Sequence, residues 1–115
     1  MANAHPYPIK IDQGGTWTLS LTYKINNALV NLTGFTASMM VRKNYTDDNA
    51  ILTLTTANGG ITLGGAAGTI VLTASATLTA AMPPGNGVYD LELYTGSEVR
   101  KLLRGDVTIV PEVTR

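Results

Sequence analysis

The chain has 115 residues, no cysteine, equal numbers of acidic and basic side chains, and a charged fraction of 14% against the roughly 25% of an average globular domain. One domain of this length buries roughly two-thirds of its unfolded surface, so it needs no metal to fold and, without cysteine, uses no disulfide. Neutral charge without a basic stripe excludes phosphate neutralisation as a binding mode, hence nucleic acid as an expected partner, and no apolar run approaches the roughly 20 residues that cross a bilayer.

Residues 1–8 contain Pro6 and Pro8 and read as an extended N-terminal arm, because proline suits neither a helix interior nor a central strand. No basic segment followed by an apolar run marks them as a signal peptide. Residues 9–115 are read as one β-sandwich domain. Ile9 and Ile11 open a short strand that Gly14-Gly15 ends. Residues 16–23 alternate cleanly, with Trp17, Leu19, Leu21 and Tyr23 on one face and Thr16, Thr18, Ser20 and Thr22 on the other. Asn26-Asn27 supplies a turn, since Asn tolerates the left-handed region. A short return strand over residues 29–32 and a Thr33-Gly34 turn follow.

Residues 36–43 form another strand, with Ala37, Met39 and Val41 inward. A polar loop over residues 44–49 leads to a strand at 51–55 and an Asn-Gly turn at 57–60. Short strands at 61–63 and 69–74 flank the glycine-rich segment 64–68. That segment is no phosphate loop, for no Lys-Ser or Lys-Thr follows it. Residues 75–81 give the one expected helical turn, with Ser75 as N-cap, and Pro83-Pro84 stops it. The closing stretch, residues 88–110, reads as a β-hairpin. Gly96-Ser97 suits a two-residue type II′ turn, whose first position needs φ > 0. The register it sets places Leu91 opposite Leu102 and Glu92 opposite Lys101. The apolar phase then slips before Val107 and Ile109, and Gly105 marks the expected β-bulge or bend. The expected core is Trp17, Leu19, Leu21, Met39, Val41, Leu72, Tyr89, Leu91 and Val107.

Chemistry is sparse. His5, the sole histidine, stands before a proline in the arm, without a partner in sequence. Asp47-Asp48 invites a calcium reading, but no downstream Glu completes a ligand series, and an ordinary turn is the simpler reading. Asp90 and Glu92 share a strand face like a glycosidase pair, yet Lys101, Arg100 and Arg104 stand across the hairpin to neutralise them. The expectation is a non-enzyme, with no catalytic, cofactor-binding or metal residues and no cofactor.

Four phrases carry a resemblance: IDQGGTWTLSLTYK (residues 11–24), NLTGFTASMMVRK (31–43), SATLTAAMPPGNGVYDLELYTGSEV (75–99) and LLRGDVTIVPEVTR (102–115). Together they resemble a group of small tailed-bacteriophage structural proteins. In that group a strand after a Gly-rich turn precedes a Leu-Thr-Gly-Tyr/Phe-Thr strand. A Ser/Thr-capped turn then leads through Pro-Gly into Tyr-Asp-Leu-Glu, and a Gly-interrupted strand closes the domain. The layout also looks like the immunoglobulin-like N-terminal domain of phage baseplate upper proteins, though no stalk or fibre segment follows here, which sets aside a one-chain adaptor role.

The resemblance implies an all-β, immunoglobulin-like antiparallel β-sandwich of about seven or eight short strands with one short helical turn. It implies a virion component, assembled in the bacterial host cytoplasm and present in multiple copies at the tail or baseplate. The alternative is a capsid decoration (cement) protein. Partners would be other phage structural proteins and copies of itself, with no nucleic acid, membrane or small-molecule substrate. A second alternative is a carbohydrate-binding module using Tyr7, Tyr45 and Tyr94, which requires those rings in one accessible groove. The arm is expected to act in assembly; folding back over an edge of its own sandwich is the other option.

Overall fold

Period-2 alternation runs through most of the sequence, and the computed structural model, which describes residues 5–113, is accordingly mostly β. Among the described residues the strands are β1 (His5–Pro6), β2 (Ile9–Asp12), β3 (Trp17–Thr22), β4 (Lys24–Ile25), β5 (Ala28–Leu29), β6 (Thr36–Arg42), β7 (Leu52–Thr55), β8 (Ile61–Leu63), β9 (Thr69–Ala74), β10 (Gly85–Thr95) and β11 (Glu98–Val110). One α-helical turn, α1 (Ala76–Ala80), and a 3-10 turn at Gly65–Ala67 complete them. The first four residues of the expected arm, and residues 114–115 of the tail, lie outside the described residues.

The larger sheet runs β1-β11-β10-β6-β7, with β2 also on β11; the smaller runs β3-β9-β8. Both sheets feed one core. Met39, Val41, Leu91, Leu93, Val107 and Ile109 from the first meet Ile61, Ile70, Leu72 and Ala74 from the second. The expected inward sets of β6 and β10 are buried as read.

The expectation for β3 needs correction. Trp17, Leu19 and Leu21 pack on the core but are only partly buried, whereas their β9 partners Ala74, Leu72 and Ile70 are fully buried. The cause is position: β3 is an edge strand, so one flank of each inward side chain has no neighbour.

The hairpin register also differs from the expected one. Gly96, at φ 54°, turns the chain so that Thr95 faces Glu98 and Glu92 faces Lys101, as the sequence implies. Leu91 then faces Leu103 rather than Leu102, because the bulge sits at Leu102 and not at Gly105. Without the extra residue Tyr89 would face Arg104, and Val107 and Ile109 would point to solvent. One inserted residue restores the apolar phase.

Gly105 serves a different purpose. It stands opposite Tyr89, and a Cβ there would lie 2.8 Å from the backbone oxygen of Tyr7. The N-terminal strand crosses at this point, and Tyr89 Oη reaches past the glycine to donate to that same oxygen.

That N-terminal strand corrects the purely antiparallel expectation. β1 and β2 run parallel to β11 in a single register, His5 opposite Leu103 and Ile9 opposite Val107, interrupted at Tyr7-Pro8. Residues 13–16 carry the chain to the other sheet, so no hairpin imposes an antiparallel start. The prolines confine the strand to an edge, and Ile9 and Ile11 are buried beneath it. The Gln13 carboxamide then fastens this end. It donates to Met82 O at 2.9 Å and accepts from Glu112 N–H at 2.9 Å.

Local turns follow their chemistry. Asn26 and Asn27 take φ 51° and 67°, both left-handed, as a tight β4–β5 hairpin requires. The return strand expected over 29–32 shortens to β5, and Leu32 is buried outside any strand. Ser75 caps α1 by accepting from Leu78 N–H at 3.2 Å. Thr79 is buried and donates to Gly15 O at 2.7 Å, which docks the turn on the end of the core.

Candidate functional site

The outer face of the larger sheet gathers its charges around β10. Glu92 accepts from Lys101 Nζ through one carboxylate oxygen and from Tyr94 Oη at 2.7 Å through the other. Both oxygens are thus engaged, and neither is poised to move a proton for a substrate. Asp90 stands opposite Arg104 on one side and Met40 on the other. The pair suspected of glycosidase-like chemistry therefore sits on an open sheet face with cationic neighbours.

The loop at 44–49 is organised by a cation already in the chain. Arg42 Nη1 donates to Asp47 O and Asp48 O, each at 2.9 Å, and Asp47 Oδ2 accepts from Asn44 N–H at 3.3 Å. A calcium ion would need such carbonyl oxygens, and a guanidinium holds them. Among the described residues no cluster of His, Asp or Glu could hold a metal. His5 lies on β1, beside Leu103 of β11.

At the hairpin tip Arg100 lies 5.4 Å from the centre of the Phe35 ring. Its Nε is 3.3 Å from Glu98 Oε2, an ion-pair distance without hydrogen-bond alignment. Its Nη2 donates to Glu98 Oε1 at 3.3 Å, and this hydrogen bond raises the guanidinium's pKa.

The three tyrosines proposed for sugar binding are not brought together. Tyr94 pairs with Thr36 at one end of β10, while Tyr45 follows Arg42, which pairs with Val88 at the other. Six residue steps along β10 separate these ends, roughly 20 Å. Tyr7 lies on the far edge, where its N–H donates to Arg104 O at 2.8 Å. A shallow groove lined by Lys43, Ile51, Pro83, Pro84, Gly85 and Asn86 carries one charge and no acid–base partner.

What the described residues offer instead is sheet edges, and these are treated unequally. The N-terminal edge carries two prolines. At the β7 edge Asn58 imitates a neighbouring strand: its amide donates to Thr53 O at 3.1 Å and accepts from Thr55 N–H at 2.9 Å. β8 has only three residues between glycines. β3 alone presents six regular residues with no proline, charge or bulge. The sequence signal of this edge is the absence of any charge between residues 16 and 23, which no pattern of catalytic groups marks.

Compared with known proteins, the chain matches no family model and no curated protein.

Proposed function

We propose that this chain is a non-enzymatic structural protein of a tailed-phage virion, an immunoglobulin-like sandwich present in many copies and placed at the tail or baseplate. The observation that carries the reading is the sequence resemblance, which spans nearly the whole chain. Three of its segments have counterparts in the fold. The strand after Gly14-Gly15, the Ser75-capped turn and the passage through Pro84-Gly85 into Tyr-Asp-Leu-Glu take the form that the resemblance implies, whereas the closing strand runs unbroken through Gly105.

Strand order supports the immunoglobulin-like assignment. The smaller sheet, β3-β9-β8, follows the order B-E-D, and β11-β10-β6-β7 follows G-F-C-C′. The low charge of the chain favours close packing against other subunits. The dispersal of Tyr7, Tyr45 and Tyr94 removes the support for a sugar-binding module.

The test is mass spectrometry and immunogold labelling of purified particles from the phage that encodes the chain. Label at the tail tip, with several copies per particle, is the expected result. Label over the head would favour the decoration protein, and absence from particles would overturn the virion assignment.

A further inference from the structure

We propose that two copies of this chain pair through their β3 strands, antiparallel about a two-fold axis at Ser20, to form one continuous sheet. The inference does not depend on the virion reading.

The first support is which backbone groups are free. Tyr23 N–H donates to Gly68 O at 2.8 Å, continuing the register in which Leu21 faces Ile70, Leu19 faces Leu72 and Trp17 faces Ala74. Hydrogen-bonded pairs alternate along an antiparallel ladder. Trp17, Leu19 and Leu21 therefore bond to β9, while Thr18, Ser20 and Thr22 turn their N–H and C=O groups to the open edge. All three are exposed.

The second support is the sequence of that edge. Thr18-Leu19-Ser20-Leu21-Thr22 reads the same in both directions, with an aromatic residue at each end, Trp17 and Tyr23. An isologous interface demands such self-complementarity, for each residue must suit its counterpart across the axis. With Ser20 opposite Ser20 of the second copy, Thr18 faces Thr22, and every edge-directed group meets another edge-directed group. The three hydrogen-bonded pairs each exchange two bonds. In the same register Leu19 faces Leu21 and Trp17 faces Tyr23, all on the core side.

The third support is what the edge leaves uncovered. Trp17, Leu19, Leu21 and Tyr23 are only partly buried at inward positions, and a second β3 would cover the bare flank of each. No residue from 16 to 23 is charged, so no like charges meet across the axis. A partner strand of another protein could use the same edge, but the palindrome singles out a second copy.

The test is analytical ultracentrifugation of the full chain and of three variants. Wild type is expected to be dimeric at roughly 100 μM, well above a micromolar Kd. Ser20→Lys sets two like charges face to face and should weaken the dimer roughly tenfold or more. Thr73→Lys, an equal charge on the exposed face of central strand β9, should leave it unchanged. Mixing Ser20→Lys with Ser20→Glu should restore dimers as heterodimers, which a misfolded variant could not do. Amide exchange at Thr18, Ser20 and Thr22 should slow with concentration. A wild type that stays monomeric overturns the proposal. So does a dimer that Ser20→Lys and Thr73→Lys weaken equally, or one that the mixture fails to restore.

Discussion

Tyr89 shows how much one side chain can coordinate in this fold. Its ring lies over Gly105, where no side chain competes for the space, and its hydroxyl holds the backbone of a third strand at Tyr7. Burial first, and proximity to Tyr7 second, raises its pKa far above the ordinary phenol. The sign of the linkage follows. The unfolded phenol releases its proton near pH 10, before the folded one does, so this contribution is complete below that pH and is lost as pH rises through and beyond it. Tyr89→Phe should cost about 0.5–1.5 kcal/mol at neutral pH, the usual net value of one hydrogen bond. It should also flatten the fall in stability between about pH 10 and 11. Urea denaturation at a series of pH values measures both effects, and an unchanged alkaline slope would assign the loss to other tyrosines.

At the scale of elements, the β10–β11 hairpin depends on one surplus residue. Its turn was legible in Gly96-Ser97, and so was the Glu92–Lys101 pairing, because turn chemistry and adjacent charges act locally. The bulge was legible as a phase slip, but its position was not. Gly105 looked like the irregular residue, and its real constraint is the approach of Tyr7, nearly a hundred residues distant in sequence. The same limit applies to β3: alternation reveals which residues face inward but not whether the strand lies at an edge, so Trp17 read as a core anchor. Among site candidates, the Asp47-Asp48 loop was legible as a turn. That Arg42 holds its carbonyls was not, since nothing in the spacing points a guanidinium there. Deleting Leu102 tests the bulge. The deletion sets Tyr89 opposite Arg104 and turns Val107 and Ile109 outward, so the variant should lose more than about 4 kcal/mol or fail to fold. Leu102→Ala keeps the extra residue and should fold, with a loss of about 1–3 kcal/mol for a partly buried leucine. Circular dichroism melts of the two variants would separate loss of register from loss of a side chain.

Across the whole molecule, stability and association both turn on how the open borders of two sheets are managed. The larger sheet ends on a strand that proline keeps from pairing further, and on β7, which Asn58 covers from its own chain. The N-terminal segment thus belongs to the fold from His5 onward, and an arm devoted only to assembly would have to lie before it. Two truncations measure that division. Deleting residues 1–8 removes β1 and Tyr7, bares the β11 edge near Leu103, and leaves the Tyr89 hydroxyl without its acceptor. The expected cost is about 1–3 kcal/mol, that of an unsatisfied buried polar group, in a chain that still folds. Deleting residues 1–12 also removes Ile9 and Ile11, at about 1.5–3 kcal/mol each, which approaches the whole stability of a small domain, and should unfold it. The shorter truncation should in addition form species larger than a dimer, because the stretch of β11 that β1 covered, around Leu103 and Arg104, becomes open and lies on the sheet that β3 does not belong to. Ser20→Lys in that background should reduce the size of these species without abolishing them. Chemical denaturation and sedimentation of both truncations provide the measurement. Unchanged stability after loss of residues 1–8 would return the entire arm to an assembly role.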